Sequence, residues 1–331
     1  MVMFQQTRTH TAVCLAILAA LLLYAVMGGY FAREIVVEIA ILAILAISLD
    51  IVAGYGGMVS LFHGAIMGAA AYGYGVLTVK FEMHPLPAAF LGVALAAIFG
   101  TLVGAIVANT AGIFYIMATL AFGQMAYTMV FQSRWLGGDD GLAGLPRFDF
   151  EAIGIDMNDP LAFALFAIVL VILVYLAAAG LLRSAFGRTL CGIHSNEARM
   201  RALGVSTWIP KMRALGTSSL LAGIAGILAA QHTQYISPEL LHWTVSGEVL
   251  IVVILGGLGT LTGALVGAVA FVALKHGVGG YTDHWHIVVG IMLIAVVLAG
   301  GRGLFGQCHH LLRQRANRSA NATGDGSKSH A

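Results

Sequence analysis

The sequence predicts an all-α polytopic membrane protein with about ten transmembrane or half-spanning helices, and two observations carry that prediction. Charged residues make up 10% of the chain and hydrophobic ones 59%. That is too little charge to cover the surface of a soluble domain of 331 residues. Stretches free of Asp, Glu, Lys and Arg cover 11–32, 51–79, 83–133, 160–182, 214–238, 249–274 and 284–301. Several exceed the roughly 20 residues a helix needs to cross the hydrocarbon core.

Polar and Gly/Pro punctuation divides these stretches into helices at 11–30, 34–53, 62–80, 86–108, 112–132, 160–182, 212–232, 246–257, 260–276 and 284–302. The first has the apolar character of a signal peptide, but no small-residue cleavage site follows and further apolar segments continue directly, so it is read as a span. The 51-residue run over 83–133 must hold two helices, with Asn109-Thr110-Ala111-Gly112 as the break. The segment 246–257 is too short to cross alone and fits a half-helix or re-entrant element buried among its neighbours.

Loop charges orient the bundle. Segment 183–213 holds six basic residues against one acid, Glu197, whereas 133–159 holds two basic residues against six acids, and the tail from Arg302 adds five basic residues. The positive-inside rule places the basic loop and the tail in the cytoplasm and the acidic loop opposite, and an even number of spans puts both termini inside. The membrane domain is expected over 1–312. Residues 313–331, rich in Asn, Ser, Gly and Ala, are expected to be a disordered cytoplasmic tail. Cys14, Cys191 and Cys308 form no C-x-x-C pair, and a net charge of +2 gives no ground for a nucleic-acid partner.

The basic loop contains Ser184-Ala185-Phe186-Gly187-Arg188-Thr189-Leu190 and then Asn196-Glu197-Ala198-Arg199-Met200-Arg201-Ala202-Leu203-Gly204. Ser195 or Asn196 can cap a short helix, Gly204 can end it, and Met200 with Leu203 gives it an apolar side. Such a helix suits docking into a partner's groove; it equally suits a solvated amphipathic connector. Asp50, His63 and Glu248 are ionisable groups expected at membrane depth, where such groups face a pathway or a partner, or else cap helices and bond between them. Asp50 and His63 flank the break at Gly54–Gly57, whose freed backbone groups can line a cavity.

A weak internal echo links Gly56-Gly57-Met58-Val59-Ser60-Leu61 with Gly256-Gly257-Leu258-Gly259-Thr260-Leu261, both placed near the inner side. Repeats of this kind meet at transporter substrate paths, while small-residue packing in a glycine-rich chain produces the same match. The spacing of Gly263 and Gly267 is read as packing. Asp139 and Asp140, beside Arg134 and Arg147 on the outer loop, fit contact with a docked protein or a merely solvated acidic loop.

Over roughly Ser48 to Gly306 the sequence resembles the permeases of branched-chain amino acid ABC importers, particularly the M-type subunit. The resemblance is carried by Gly54-Tyr55-Gly56-Gly57-Met58-Val59-Ser60-Leu61-Phe62-His63-Gly64-Ala65, Ala118-Thr119-Leu120-Ala121-Phe122-Gly123, Gly137-Gly138-Asp139-Asp140-Gly141-Leu142, the basic loop, Val253-Ile254-Leu255-Gly256-Gly257-Leu258-Gly259-Thr260 and Gly301-Arg302-Gly303-Leu304. It implies an ABC importer permease-like fold in the bacterial inner membrane. Its implied partners are a sister permease subunit, two cytoplasmic ATPase subunits, a periplasmic substrate-binding protein and membrane lipid. It implies ATPase coupling through Asn196, Glu197, Ala198, Met200, Leu203 and Gly204, although Arg199 and the position of Gly204 depart from the usual loop pattern. Translocation-path candidates are Asp50, Gly56, Gly57, His63, Glu248, Gly256 and Gly257, and binding-protein contact candidates are Asp139 and Asp140.

The chain has no G-x-x-x-x-G-K-[ST] phosphate loop, so ATP hydrolysis is expected in a separate chain. No catalytic constellation, cofactor or metal site is expected; His309-His310 after Cys308 fits a solvated tail pair. Competing readings are the same importer type for urea or short amides, an ATP-independent secondary transporter or channel, for which Asp50 and Glu248 barely supply the coupling carboxylates, and a membrane-embedded enzyme, for which no nucleophile or metal cluster is present.

Overall fold

The computed structural model describes residues 8–150 and 156–280, together with positions 287, 288, 290–292 and 294. Its helices follow the apolar segments in order: α1 (Arg8–Met27), α2 (Tyr30–Asp50), α3 (His63–Gly75), α4 (Pro85–Val107), α5 (Ile113–Gln132), α6 (Pro160–Arg183), α7 (Ala185–Ser195), α8 (Glu197–Ala202), α9 (Trp208–Thr233), α10 (Trp243–Gly256) and α11 (Leu261–Gly279). π-helical turns extend α2 through Tyr55 and α3 through Lys80. Two short strands, β1 (Leu142–Ala143) and β2 (Tyr235–Ile236), pair antiparallel.

Among the described residues, six helices are long and apolar enough to cross a membrane, namely α2 with its π extension, α4, α5, α6, α9 and α11, while Thr11–Met27 and α10 are apolar but shorter. The protein is thus a multi-pass helical membrane protein, in which six spanning and two shorter apolar helices, rather than about ten, stand among the described residues. The expected helix at 284–302 falls almost entirely, and the tail 313–331 wholly, outside the described residues. α10, at 14 residues and about 21 Å by helical rise, is the short element the sequence predicts.

Local sequence explains the boundaries. Pro85 and Pro160 occupy the first turns of α4 and α6, where a missing N–H costs nothing, and Asp159 caps α6 by accepting from Leu161 N at 3.2 Å. Gly112, at φ +57, makes the turn from α4 into α5.

Small residues draw the inner helices together. α4 and α9 run antiparallel, with Trp208 Nε1 donating to Ala105 O at 2.9 Å. A Cβ on Gly100 would strike Ser219, and one on Gly226 would lie 2.1 Å from Met67 O, so α3, α4 and α9 approach almost backbone to backbone. α2 lies at the centre, its most apolar window 78% buried, against 22% for α5. The outward face of α5, with Phe114, Met117, Met125 and Met129, is left exposed among the described residues.

Candidate functional site

At the basic end α6 breaks at Ser184 and the chain forms two short helices before entering α9. Phe186, Leu190 and Ile193, spaced i, i+4 and i+7, turn one side of α7 onto the bundle, with Leu190 and Ile193 buried. Sequence reading left this stretch inside a loop, although that spacing was the signal for a helix. Asn196 then caps α8, its Oδ1 accepting from Arg199 N at 2.8 Å, a bond worth about 1 kcal/mol. Gly204, at φ +79, ends the turn.

Glu197 is the anchor of α8. Lys211 Nζ, near the start of α9, donates to both carboxylate oxygens at 2.8 Å, and Arg201 Nη2 donates to Oε1 at 2.7 Å. Burial would raise the Glu197 pKa, but the hydrogen bonds from Lys211, Thr207 and Arg201 outweigh it and hold the carboxyl below its usual value. Lys211 is 5% exposed, its ammonium packed directly against this carboxylate. Met200 turns inward, close to Gly192, whereas Ala198 faces solvent and Leu203 is 71% exposed. The apolar side expected of Met200 and Leu203 therefore divides, with Met200 fastening α8 to α7 and Leu203 left free.

The two echoing glycine segments meet. Each follows a helix that ends on a positive-φ glycine, Gly57 at φ +68 after α2 and Gly257 at φ +115 after α10. Asp50 Oδ1 accepts from Gly259 N at 2.7 Å, bridging the turns, and a Cβ on Gly54 would sit 2.3 Å from that same nitrogen. Asp50 Oδ2 is buried with no hydrogen-bond partner among the described residues.

His63, at the start of α3, joins α9 and α2: its Nε2 lies 2.7 Å from Ser218 Oγ, which itself donates to Ser48 O at 2.5 Å. Ser218 has used its proton, so Nε2 carries the hydrogen and Nδ1 is the bare acceptor, buried and without a partner. Gly256 packs against Gly263 and Gly267 of α11, and Gly257 is buried beside it. Glu248 is half-buried on α10.

A cavity of about 270 Å³ brings the path candidates Gly56 and Gly57 together with the coupling candidate Glu197, alongside Lys211, His194 and Tyr115. The Tyr115 hydroxyl is buried without a partner. His194 and Tyr115 carry no sequence signal for this place; only the folding of α7 and α5 onto the first glycine turn brings them there.

At the opposite end Asp139 and Asp140 lie exposed on a loop held from below. β1 pairs Leu142 with Ile236 and Ala143 with Tyr235, and Tyr235 Oη donates to Asp140 O at 2.9 Å. Arg147, which sequence reading took only as a neighbouring charge, donates to Gln231 O at 3.0 Å, Met157 O at 3.0 Å and His232 O at 3.3 Å, with its guanidinium 4.5 Å from the Phe163 ring centre. It neutralises the carbonyl end of α9 and ties it to the acidic loop.

Comparison with known proteins follows this geometry. Residues 31–297 match the family described as the permease component of branched-chain amino acid transport systems. The high-affinity branched-chain amino acid transport system permease protein LivM of Escherichia coli (strain K12) is 27% identical over 316 residues, covering 87% of this chain and 74% of the relative. Its namesake in Salmonella typhimurium is 26% identical over 313 residues, with the same coverage. A probable ABC transporter permease protein, y4mJ, of Sinorhizobium fredii is 27% identical over 64% of each chain. No solved structure matches.

Proposed function

Because the chain belongs to the family of branched-chain amino acid transport permease components, we propose that it forms one half of the pore of an ATP-driven importer for branched-chain or related amino acids. Substrate arrives from a periplasmic binding protein at the Asp139–Asp140 end and leaves at the basic end, in the cytoplasm. A sister permease covers the unpartnered face of α5, lipid covers the outward face of α4, and two separate ATPase subunits supply the energy. Asp50, Gly56, Gly57, His63, Glu248, Gly256 and Gly257 belong to the part of the bundle that rearranges to pass substrate.

One observation carries this reading above all: α8 is clamped to α9 through Glu197 and Lys211 while Leu203 projects freely into solvent. A clamped helix with an exposed apolar residue can receive a push and pass it on. A solvated connector needs neither the clamp nor the leucine.

The test is to purify the assembled transporter with Leu203→Asp and with Glu197→Gln. Leu203→Asp is expected to weaken retention of the ATPase subunits, and Glu197→Gln to leave them bound while substrate moved per ATP falls. Normal uptake by both variants would remove α8 from the coupling role.

A further inference from the structure

α8 reaches the interior of the protein through α7. Met200 of α8 packs over Gly192 of α7, where an added Cβ would lie 3.0 Å from its sulfur. Two residues further on, the imidazole of His194 lies against Gly57: a Cβ on that glycine would be 2.8 Å from Nδ1, 2.9 Å from Cγ and 3.1 Å from Cε1. Three ring atoms at nearly equal distance mean that the ring presents its face to the glycine. One helical turn earlier, Leu190 lies 3.4 Å from the place a Cβ on Gly56 would take. α7 is thus seated on the first glycine turn by residues i and i+4 of a single face.

The first turn is locked to the second by the Asp50–Gly259 bond and the backbone contact of Gly54 with Gly259. The cavity of about 270 Å³ opens beside the His194–Gly57 contact. Close-packed interiors shift between discrete arrangements and resist gradual deformation, so a tight contact bordered by empty volume is where a helix can tilt without repacking the core.

We propose that His194 is a positioning residue that passes displacement of α8 to the paired glycine turns, so that Gly57 and Gly257 move together when the ATPase subunits close. This rests on the coupling role of α8 and extends it to a route inward. The ring acts by shape: it bears on a glycine because any side chain there would occupy its place.

The experiment compares Gly57→Ala, His194→Ala and the double variant in the complete transporter, reconstituted in liposomes with its binding protein, with uptake and ATP hydrolysis measured together. Each single substitution is expected to lower substrate moved per ATP by about fivefold or more. The double variant should recover to well above the product of the two losses, because removing the ring makes room for the methyl group. The strain of an alanine at positive φ is present in both Gly57→Ala backgrounds and cancels between them. His194→Phe, which keeps a flat ring, should retain most of the coupling. Losses that simply multiply would overturn the proposal, as would unchanged coupling in His194→Ala. Normal uptake by Leu203→Asp and Glu197→Gln would instead overturn the role of α8, so the two failures are separable.

Discussion

At the acidic end the loop after α5 is bonded to its surroundings by Arg147, by the β1–β2 pair and by Tyr235, and Glu38 of α2 accepts from Lys275 and lies against His276 of α11, both at 2.6 Å. At the basic end α8 is held by the Glu197 carboxylate and by Met200 against α7, and α7 is seated on the bundle by one apolar side beside a cavity. The same chain therefore makes one end stiff, by many independent bonds, and the other movable, by few. Under the proposed function this division is useful: the end that would meet a docking protein keeps its shape, and the end that would meet a motor gives way.

The largest disturbance should come from Gly54→Val, where the two glycine turns touch. Its Cβ would fall 2.0 Å from Asp50 Oδ1, and overpacking of this kind costs about 3 kcal/mol; thermal unfolding in detergent and the yield of monodisperse protein should both drop. Arg147→Met comes next, at about 2–3 kcal/mol for the loss of charged hydrogen bonds to carbonyls. It should lower the melting temperature while leaving substrate moved per ATP unchanged, and a changed ratio would show that the stiff end also takes part in coupling.

Lys211→Met leaves Glu197 with Arg201 and Thr207 and should cost only about 1 kcal/mol of stability, because the carboxylate is partly solvated. Its effect should fall on coupling instead. The same pair gives a pH signature. The Glu197 carboxyl is held below its usual range, so the stabilisation is complete above the unfolded value and is lost as pH falls through the lower folded value. Hydrogen-exchange protection factors of residues 196–204, corrected for the intrinsic rate at each pH, should therefore be flat from neutral pH to about pH 5 and fall only below about pH 4. The smallest change belongs to Asp139→Asn with Asp140→Asn, expected within about 0.5 kcal/mol in stability, with a weaker salt dependence of binding-protein association as its sign.

Helix positions were legible because the bilayer imposes them: runs lacking charge located most of the spanning helices among the described residues, while α2, which carries Arg33, Glu34, Glu38 and Asp50, lies between two such runs and was placed by its apolar character and its Gly punctuation. Asn196 and Gly204 were legible as caps because capping is local chemistry. The shortness of α10 was legible from length alone. Partners were not. Glu197 finds Lys211 fourteen residues away and Asp50 finds Gly259 two hundred and nine residues away, and nothing in either neighbourhood names the other. The echo of the glycine segments hinted at the second pairing without assigning the bond. Arg147 was legible for its charge sign, whereas its work is done by geometry, through two carbonyls at the end of α9 and one just before α6.

The Asp50–Gly259 bond also sets an order of events in biosynthesis. At about 5–20 residues per second, roughly 10 to 40 s pass between the emergence of the carboxylate and that of its amide donor. Throughout that interval the half-made protein carries an acid at the end of its central helix, without the amide donor that it meets in the finished fold. The chain is complete, in a chemical sense, only when its second glycine turn has arrived. A nascent chain stalled before α10 and α11 would leave that acid exposed as a mark of unfinished synthesis for the quality-control machinery of the membrane.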